Sequence, residues 1–566
     1  MDKIKEIIIN LLNGNPKKFK EKDLKIKLIL SAIIGLITAG VGFYVFLPPI
    51  NLMSESFWVY FTVVAIAFAL PFIDIGGGHI SITNNNGKIT KRYSTNSNKW
   101  AIIAIAFPIC VLVLGNIISS PVFNARSYAA IINVKESNFS EDLPETTEVT
   151  NIALMDTDSA KMLGNRTLGS LSNVVSQYTV SEIYTQINYK NTPKKVSNLE
   201  YDGFFKWIGN MQNGVPGVVI VDPVNSSAEY MELEQPMHYV ESAYFGKDLM
   251  RKVRFDYPTK IFDSDSISFE LDDNGNPYYI ISCYRPKVML FGAKDVVEVI
   301  IFDPTDGSSE IYDVENTPSW VDIVYDGYLA SDKYNWYGTL SGGFINSIIG
   351  NVGCKQSTDD FGYVVLGDDV WYFTGVTSAV SNDKSNIGFI LTNARTGEYK
   401  FYPVIGAEEH SAMAAAQGEV QEKGYVASFP SLINVSDQAT YIMVLKDDAG
   451  LVKLYALVNV ENYSIVATGA TQADAMSAYK KLLRQNDIEI GDNSKVAEIT
   501  VENVRIAMVS GVATVYITAE DGSVYKGYLE ADEALMLIRI GDKIKISYAT
   551  SDIDKLYVIS NWEFIQ

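Results

Sequence analysis

The chain has 566 residues, too many for a single core, and 47% of them are apolar with few prolines, a composition that excludes a disordered stalk. Charge is unevenly placed: residues 1–118 hold twelve Lys/Arg against six Asp/Glu, a net of +6, and the other 448 residues carry −27. So acidic a portion repels phosphate backbones, which excludes nucleic acid as a partner.

Residues 2–12 (DKIKEIIINLL) set Ile4, Ile7, Ile8 and Leu11 on one helical face, the pattern of a short helix lying in a membrane interface, so 1–24 reads as a cytoplasmic amphipathic segment. Residues 25–118 read as a three-span anchor. The first span, 28–47, has 20 residues and no charge, matching a hydrocarbon core of roughly 30 Å. It exceeds a signal-peptide core and no small-residue cleavage site follows Pro48-Pro49, so it reads as retained. The second, 57–73, opens with Phe57, Trp58 and Tyr60, aromatics suited to the headgroup level. The third, 100–118, opens with Trp100 and contains Pro108, which neighbouring helices make tolerable.

Lysines set the orientation. Eight precede the first span, and Lys88, Lys91, Arg92 and Lys99 lie between the second and third, whereas 48–56 has no Lys or Arg. The positive-inside rule then predicts a cytoplasmic N-terminus and an extracellular 119–566. Within the basic loop, ISITNNNGKITKRYS alternates around Asn86-Gly87 and predicts a hairpin. Its Gly76-Gly77-Gly78 lacks the lysine of a phosphate loop.

Past a predicted short helix at 125–132 and a polar linker at 136–150, one pattern recurs four times. It reads GVVIVDPVNSSAEYME (217–232), VEVIIFDPTDGSSEIYD (297–313), GFILTNARTGEYKFYP (388–403) and LYALVNVENYSIVAT (454–468). Asp222, Asp303, Asn393 and Asn459 end the first strand of each hairpin, where a short polar side chain can bond the backbone two residues on and start the reversal. A helix is expected after each, at 241–254, 318–329, 407–417 and 471–484, and another strand before, at 182–189, 278–284, 370–376 and 440–445. Each unit is then an antiparallel sheet with a covering helix, an α+β layer, and the modules divide as 119–255, 256–350, 351–424 and 425–490. The fifth unit, 495–566, reads as five strands with a helix between the third and fourth, the order of an OB-like β-barrel.

Three strands with an acidic or Asn-x-x-Thr-Gly turn beside one helix resemble the PepSY module of bacterial propeptides and surface proteins. FDYPTKIFD (255–263), DDVWYFTGVTS (368–378), GAEEHSAMAAAQG (406–418) and TYIMVLKDDAGLVKLYALVNV (440–460) resemble a family of uncharacterised membrane-anchored surface proteins of low-GC Gram-positive bacteria. The resemblance implies a location and lineage and brings no activity.

No catalytic constellation is visible, and no catalytic, cofactor-binding or metal residue is assigned. His238 and His410 are the only histidines past the anchor, and no HExxH or G-x-S-x-G string occurs. In Glu408-Glu409-His410-Ser411, successive helical residues point apart, so neighbours cannot pair as nucleophile and base. Asp263, Asp265, Asp272, Asp273 and Asn274 contain oxygen ligands of the calcium type but lack EF-hand spacing, and a turn explains Asp273-Asn274-Gly275. Cys110 lies in a span; Cys283 and Cys354 could bridge only if their Cα atoms come close. The run 341–350 (SGGFINSIIG) is open to burial under the sheets or contact with the membrane. The expected function is non-enzymatic: a tethered extracellular binding or assembly protein, with no cofactor, whose partners are the membrane and an envelope protein or copies of itself. The alternative is a cell-envelope hydrolase or peptidase with catalytic groups dispersed among the modules.

Overall fold

The computed structural model describes residues 23–565 apart from 74–78, 86–87, 95–98, 147–151, 380–384, 449, 487, 489–494, 510–511, 530–531 and 551–554. The predicted segment 2–12, the Gly76–Gly78 run and the Asn86-Gly87 turn fall outside them. Three helices are long and apolar enough to cross a membrane: Ile26–Phe46, Glu55–Phe72 and Lys99–Ser119. The second packs between the others. A Cβ at Gly35 would strike the Phe68 ring, the Tyr60 hydroxyl donates to Ala39 O at 2.9 Å, and Trp58 meets Phe107 edge-on with centroids 5.9 Å apart. At 1.5 Å per residue the second helix carries the chain about 27 Å, and the antiparallel hairpin His79–Asn85/Lys88–Ser94 follows it in the chain.

That loop meets the large β-rich region directly. Ile50 N donates to Pro258 O at 2.6 Å and Asn51 Nδ2 to Thr259 O at 2.9 Å. Ser119, ending the third span, accepts from Leu290 N at 3.1 Å and Phe291 N at 3.0 Å through Oγ. The loop after the first of these helices and the end of the third therefore both contact the β-rich region.

Four mainly antiparallel sheets follow. Each contains a hairpin whose turn is set by one polar side chain, because a short acceptor at the strand end satisfies the N–H groups that the reversal exposes. Asp222 Oδ1 accepts from Val224 N and Asn225 N, Asp303 Oδ1 from Thr305 N, Asn393 Oδ1 from Arg395 N and Thr396 N, and Asn459 Oδ1 from Asn462 N. The sheets are not independent beads. The first (Tyr178–Val180, Thr185–Tyr189, Thr192–Tyr201, Val215–Asp222, Ser227–Met237) and second (Ile267–Leu271, Pro277–Val288, Gly292–Phe302, Ser309–Asp313) bury one common core, in which Val196, Leu199 and Val219 join Phe269, Tyr279 and Phe302. The third, around Asp369–Ser378 and Ser385–Asn393, shares another core with the fourth, around Gln438–Lys446 and Val452–Asn459, through Phe373, Phe389, Tyr441 and Val458. Helix Gln472–Gln485 covers the outer face of the fourth sheet with Ala475, Tyr479 and Leu483. Its Thr471 cap accepts from Asp474 N at 3.1 Å.

Several expectations need correction. The expected linker 136–150 is partly built into the fold: Val134–Glu136 pairs in parallel with Tyr399–Tyr402. Phe139 and Leu143 are buried with the third and fourth sheets, and both Glu145 carboxylate oxygens accept from Ser436 N. Residues 318–326 are not helical; they form turns and bends from which Val321 and Val324 pack into the core of the second sheet. The helix runs Gly327–Leu340, starting where Asp326 caps Leu329 N. After the first hairpin the helix is Leu249–Asp256, shorter than 241–254, and the first sheet is covered instead by Thr157–Gly169. Cys283 and Cys354 are free and buried: burial pushes the Cys283 thiol up to about 12, while Cys354 Sγ donates to Thr339 O at 3.4 Å.

In the terminal unit, strands Lys495–Val509, Val512–Ala519, Val524–Tyr528, Leu556–Phe564 and Lys543–Thr550 pair in that order and the last returns to the first. The third and fourth of that circuit are parallel. Its interior holds Val501, Val515, Ile517, Ile544 and Ile546.

Candidate functional site

An open concavity of about 760 Å³ lies where the first, third and fourth sheets meet. Its floor comes from strand Thr192–Tyr201. Alternation along a strand sends successive side chains to opposite faces, so Lys194 turns outward to Asp222 at 2.7 Å while Lys195 turns inward and is 2% exposed. Lys195 Nζ donates to Thr157 Oγ1 at 3.2 Å and stands 4.8 Å from the Tyr363 ring centroid. Burial pushes its ammonium down to about 8, against the opposing pull of Asp156. Gln186 is its cross-strand partner. The Gln186 Oε1 and the Tyr184 hydroxyl, both in the cleft lining, are buried without a hydrogen-bond partner among the described residues.

Asp156 fastens one wall. It caps helix Thr157–Gly169 by accepting from Ser159 N at 2.8 Å and pairs with Lys446 at 2.5 Å. Burial alone would raise the Asp156 carboxyl, but Lys446 and Ser159 outweigh it and hold the group below its usual value. Lys446 is thus committed to Asp156, whereas Lys195 has no carboxylate in hydrogen-bond contact among the described residues. Phe361, Tyr363 and Phe429 supply the apolar wall and Tyr328, 75% exposed, stands at the rim.

A buried ammonium beside an amide carbonyl and a phenol, under aromatic walls, can receive an anionic group that also carries a donor, such as a carboxylic or amide-bearing segment. A lysine with a value near 8 is also about one-tenth neutral amine at pH 7, close to a hydroxyl.

Other sequence candidates have local explanations. His410 enters the cleft wall edge-on to Phe429, centroids 6.3 Å apart, and no hydroxyl or thiol bonds it among the described residues. Glu409 points the other way into the core and accepts from Gly375 N at 2.5 Å. Asp272 Oδ1 accepts from Asn274 N at 2.9 Å and Asn276 N at 2.8 Å, holding the 272–276 turn. Asp263 O accepts from Ser266 Oγ at 2.7 Å, and Asp263 stands 3.8 Å from Lys294. The groups that meet in the cleft were missed in the sequence. The available signal was Lys194-Lys195 inside a strand, since alternation must turn one of them inward.

No family model matches the chain, and no curated protein matches it. Among solved structures it is matched to a GH43 β-1,3-galactosidase at 8% identity, over 65% of this chain and 57% of that one, with a TM-score of 0.15. The chain thus spans little more than half the galactosidase's length, and so low a TM-score indicates no common fold.

Proposed function

We propose that this chain is a membrane-tethered extracellular binding or assembly protein acting through protein–protein contacts. Its N-terminus is cytoplasmic and residues 119–566 lie outside. We read the four sheets as PepSY-like repeats of an envelope surface family and the terminal circuit as an OB-type barrel. The lysine-free loop 48–56 against the basic 88–99 region supports the orientation. The single observation that carries the binding role is the cleft: three sheets converge on an open concavity whose floor holds a buried ammonium without a carboxylate partner. An acidic segment of a partner protein, or of a second copy, suits that floor.

A photoreactive benzoylphenylalanine in place of Tyr328, in the full chain in its native membrane, is expected to yield a discrete adduct with one partner or a second copy. Adducts no stronger than from the same probe at Tyr463, exposed but outside the cleft, would count against the reading. Orientation has its own check. An impermeant maleimide is expected to label Ile405→Cys, at a position 71% exposed, in intact cells; labelling only after lysis would reverse it.

One observation favours the hydrolase alternative. Thr157 Oγ1 at 3.2 Å from a lysine with a lowered value is the geometry of a hydroxyl nucleophile beside an amine base. Turnover of envelope peptides or glycans by the full chain, abolished in Thr157→Ala, would establish it over the binding role.

A further inference from the structure

We propose that the face of the β-rich region beside the spans is a lipid-binding surface, seated in the headgroup and upper acyl layer of the bilayer that the anchor crosses. Two apolar patches compose it, each tied to the mouth of a different span.

The first is aromatic. On helix Phe204–Asn210, Phe205 is 85% exposed and Ile208 48%. Phe204 packs edge-on to Tyr244 at 4.9 Å and Trp207 lies 5.8 Å from Phe245. Phe245 O accepts from Arg251 Nη1 at 2.8 Å, and the Arg251 guanidinium lies 4.5 Å from the ring centroid of Tyr44, in the last turn of the first span. Phe255, half exposed, meets Phe43 of the same turn at 5.3 Å.

The second is aliphatic. The run 341–350, open between burial and membrane contact on sequence grounds, lies outside the core and ends in the short π-helix Asn346–Gly350: Ile345 is 73% exposed, Ile349 80% and the following Val352 79%. Asn346 holds the turn in shape, donating from Nδ2 to Val352 O at 3.0 Å and accepting at Oδ1 from Val352 N at 3.2 Å. The isoleucines are therefore displayed by a short helical turn whose end is closed by hydrogen bonds. Phe344 packs against a cluster that includes Ala125, Tyr128 and Ala129 on the helix following the third span, together with Val288, Ala293 and Leu340. The neighbouring hairpin tip, Leu290 and Phe291, bonds to Ser119 at the span's end.

A soluble acidic domain rarely leaves two such patches in water. Here both are tied to the ends of helices that are themselves apolar, and Lys206 and Lys247 are close to the aromatic patch in sequence, the Lys247 ammonium lying 3.9 Å from the Tyr239 ring centroid. Lipid is the occupant that this attachment selects. Contact at two separate span mouths would fix the tilt of the region and the direction in which its cleft faces.

The test uses the full chain in nanodiscs of phosphatidylcholine and phosphatidylglycerol, with Cys110→Ala to remove the exposed native thiol. A polarity-sensitive dye is attached at Ile349→Cys, at Phe205→Cys or at Met508→Cys, the last on the terminal unit. At 349 and 205 the emission is expected to shift blue and to lose roughly half its intensity to a lipid spin-labelled near the headgroup, while 508 is unaffected. These sites are exposed, so folding is not at stake. Emission at 349 and 205 matching 508 would overturn the proposal. So would shielding of both sites in cells without quenching in lipid-only nanodiscs, which would assign the surface to a protein.

Discussion

Raising the pH from about 5.5 to about 8 is expected to destabilise the β-rich region, and Asp322→Asn is expected to remove much of that loss. Glu270 is fully buried at the junction of the first and second sheets. Its carboxylate accepts from Asp322 N at 2.8 Å, Ile323 N at 2.9 Å and Ser268 Oγ at 3.1 Å. Asp322 accepts from Asn188 N at 2.7 Å. Asp368 and Asp369 face it from the third sheet, the latter paired with Arg395 at 2.6 Å. Burial raises both buried carboxyls, and for Asp322 the charge of Glu270 raises it further. Glu409 and Glu241 are likewise raised, each to about 7, chiefly by burial.

A carboxyl raised in the folded state binds its proton more tightly there than in the unfolded chain. Its stabilising contribution is full below the unfolded value near 4 and falls as pH rises toward the folded value, by up to about 1.4 kcal/mol per pH unit for each group. Lys195 does not mask this: its lowered value changes stability only above about 8, and with the opposite sign. Asp222, lowered to about 2, acts only below the window. Asp322→Asn keeps the acceptor for Asn188 N and removes one of the two coupled charges. The measurement is the melting temperature of the full chain in nanodiscs across this range. The exposed Asp273→Asn serves as the control for net charge. A wild-type melting temperature that is flat or rising would refute the argument, as would an equal effect of the control.

Parts of this architecture were legible because they are local. Uncharged runs of 17 to 20 residues identify the spans, and Asp222, Asp303, Asn393 and Asn459 mark their turns by chemistry acting within three residues. Thr471 and the spacing of Ala475, Tyr479 and Leu483 likewise define their helix. Long-range pairings were not legible. Glu136 looks like the start of a polar linker because the strand it ends, Val134–Glu136, has its partner more than 260 residues away. Thr192–Tyr201 looks polar because Lys194 and Glu200 satisfy partners that only the fold supplies. Residues 318–326 look helical until the second sheet claims Val321 and Val324. The cleft suffers most from this, since Asp156, Lys195, Tyr363 and Lys446 sit in four separate stretches and none carries a motif.

Lys195→Met is expected to reduce partner capture from the Tyr328 probe by roughly 10- to 100-fold, the equivalent of one charge-assisted hydrogen bond, without lowering the melting temperature. Methionine fills nearly the same volume beside Tyr363, and replacing a buried charge by an apolar group of similar shape is commonly neutral or stabilising. A purely structural Lys195 predicts the reverse, a lower melting temperature with capture falling only in proportion. The pH profile then separates binding from hydrolysis. An anion-receiving ammonium loses capture as pH rises through about 8, because deprotonation discharges it. An amine base for Thr157 gains activity over the same interval, because deprotonation arms it. Thr157→Ala sharpens the choice: it abolishes hydrolysis in the second case and leaves Lys195 its charge in the first. Capture that survives Lys195→Met at full strength would remove the buried ammonium from the binding reading, whatever the partner.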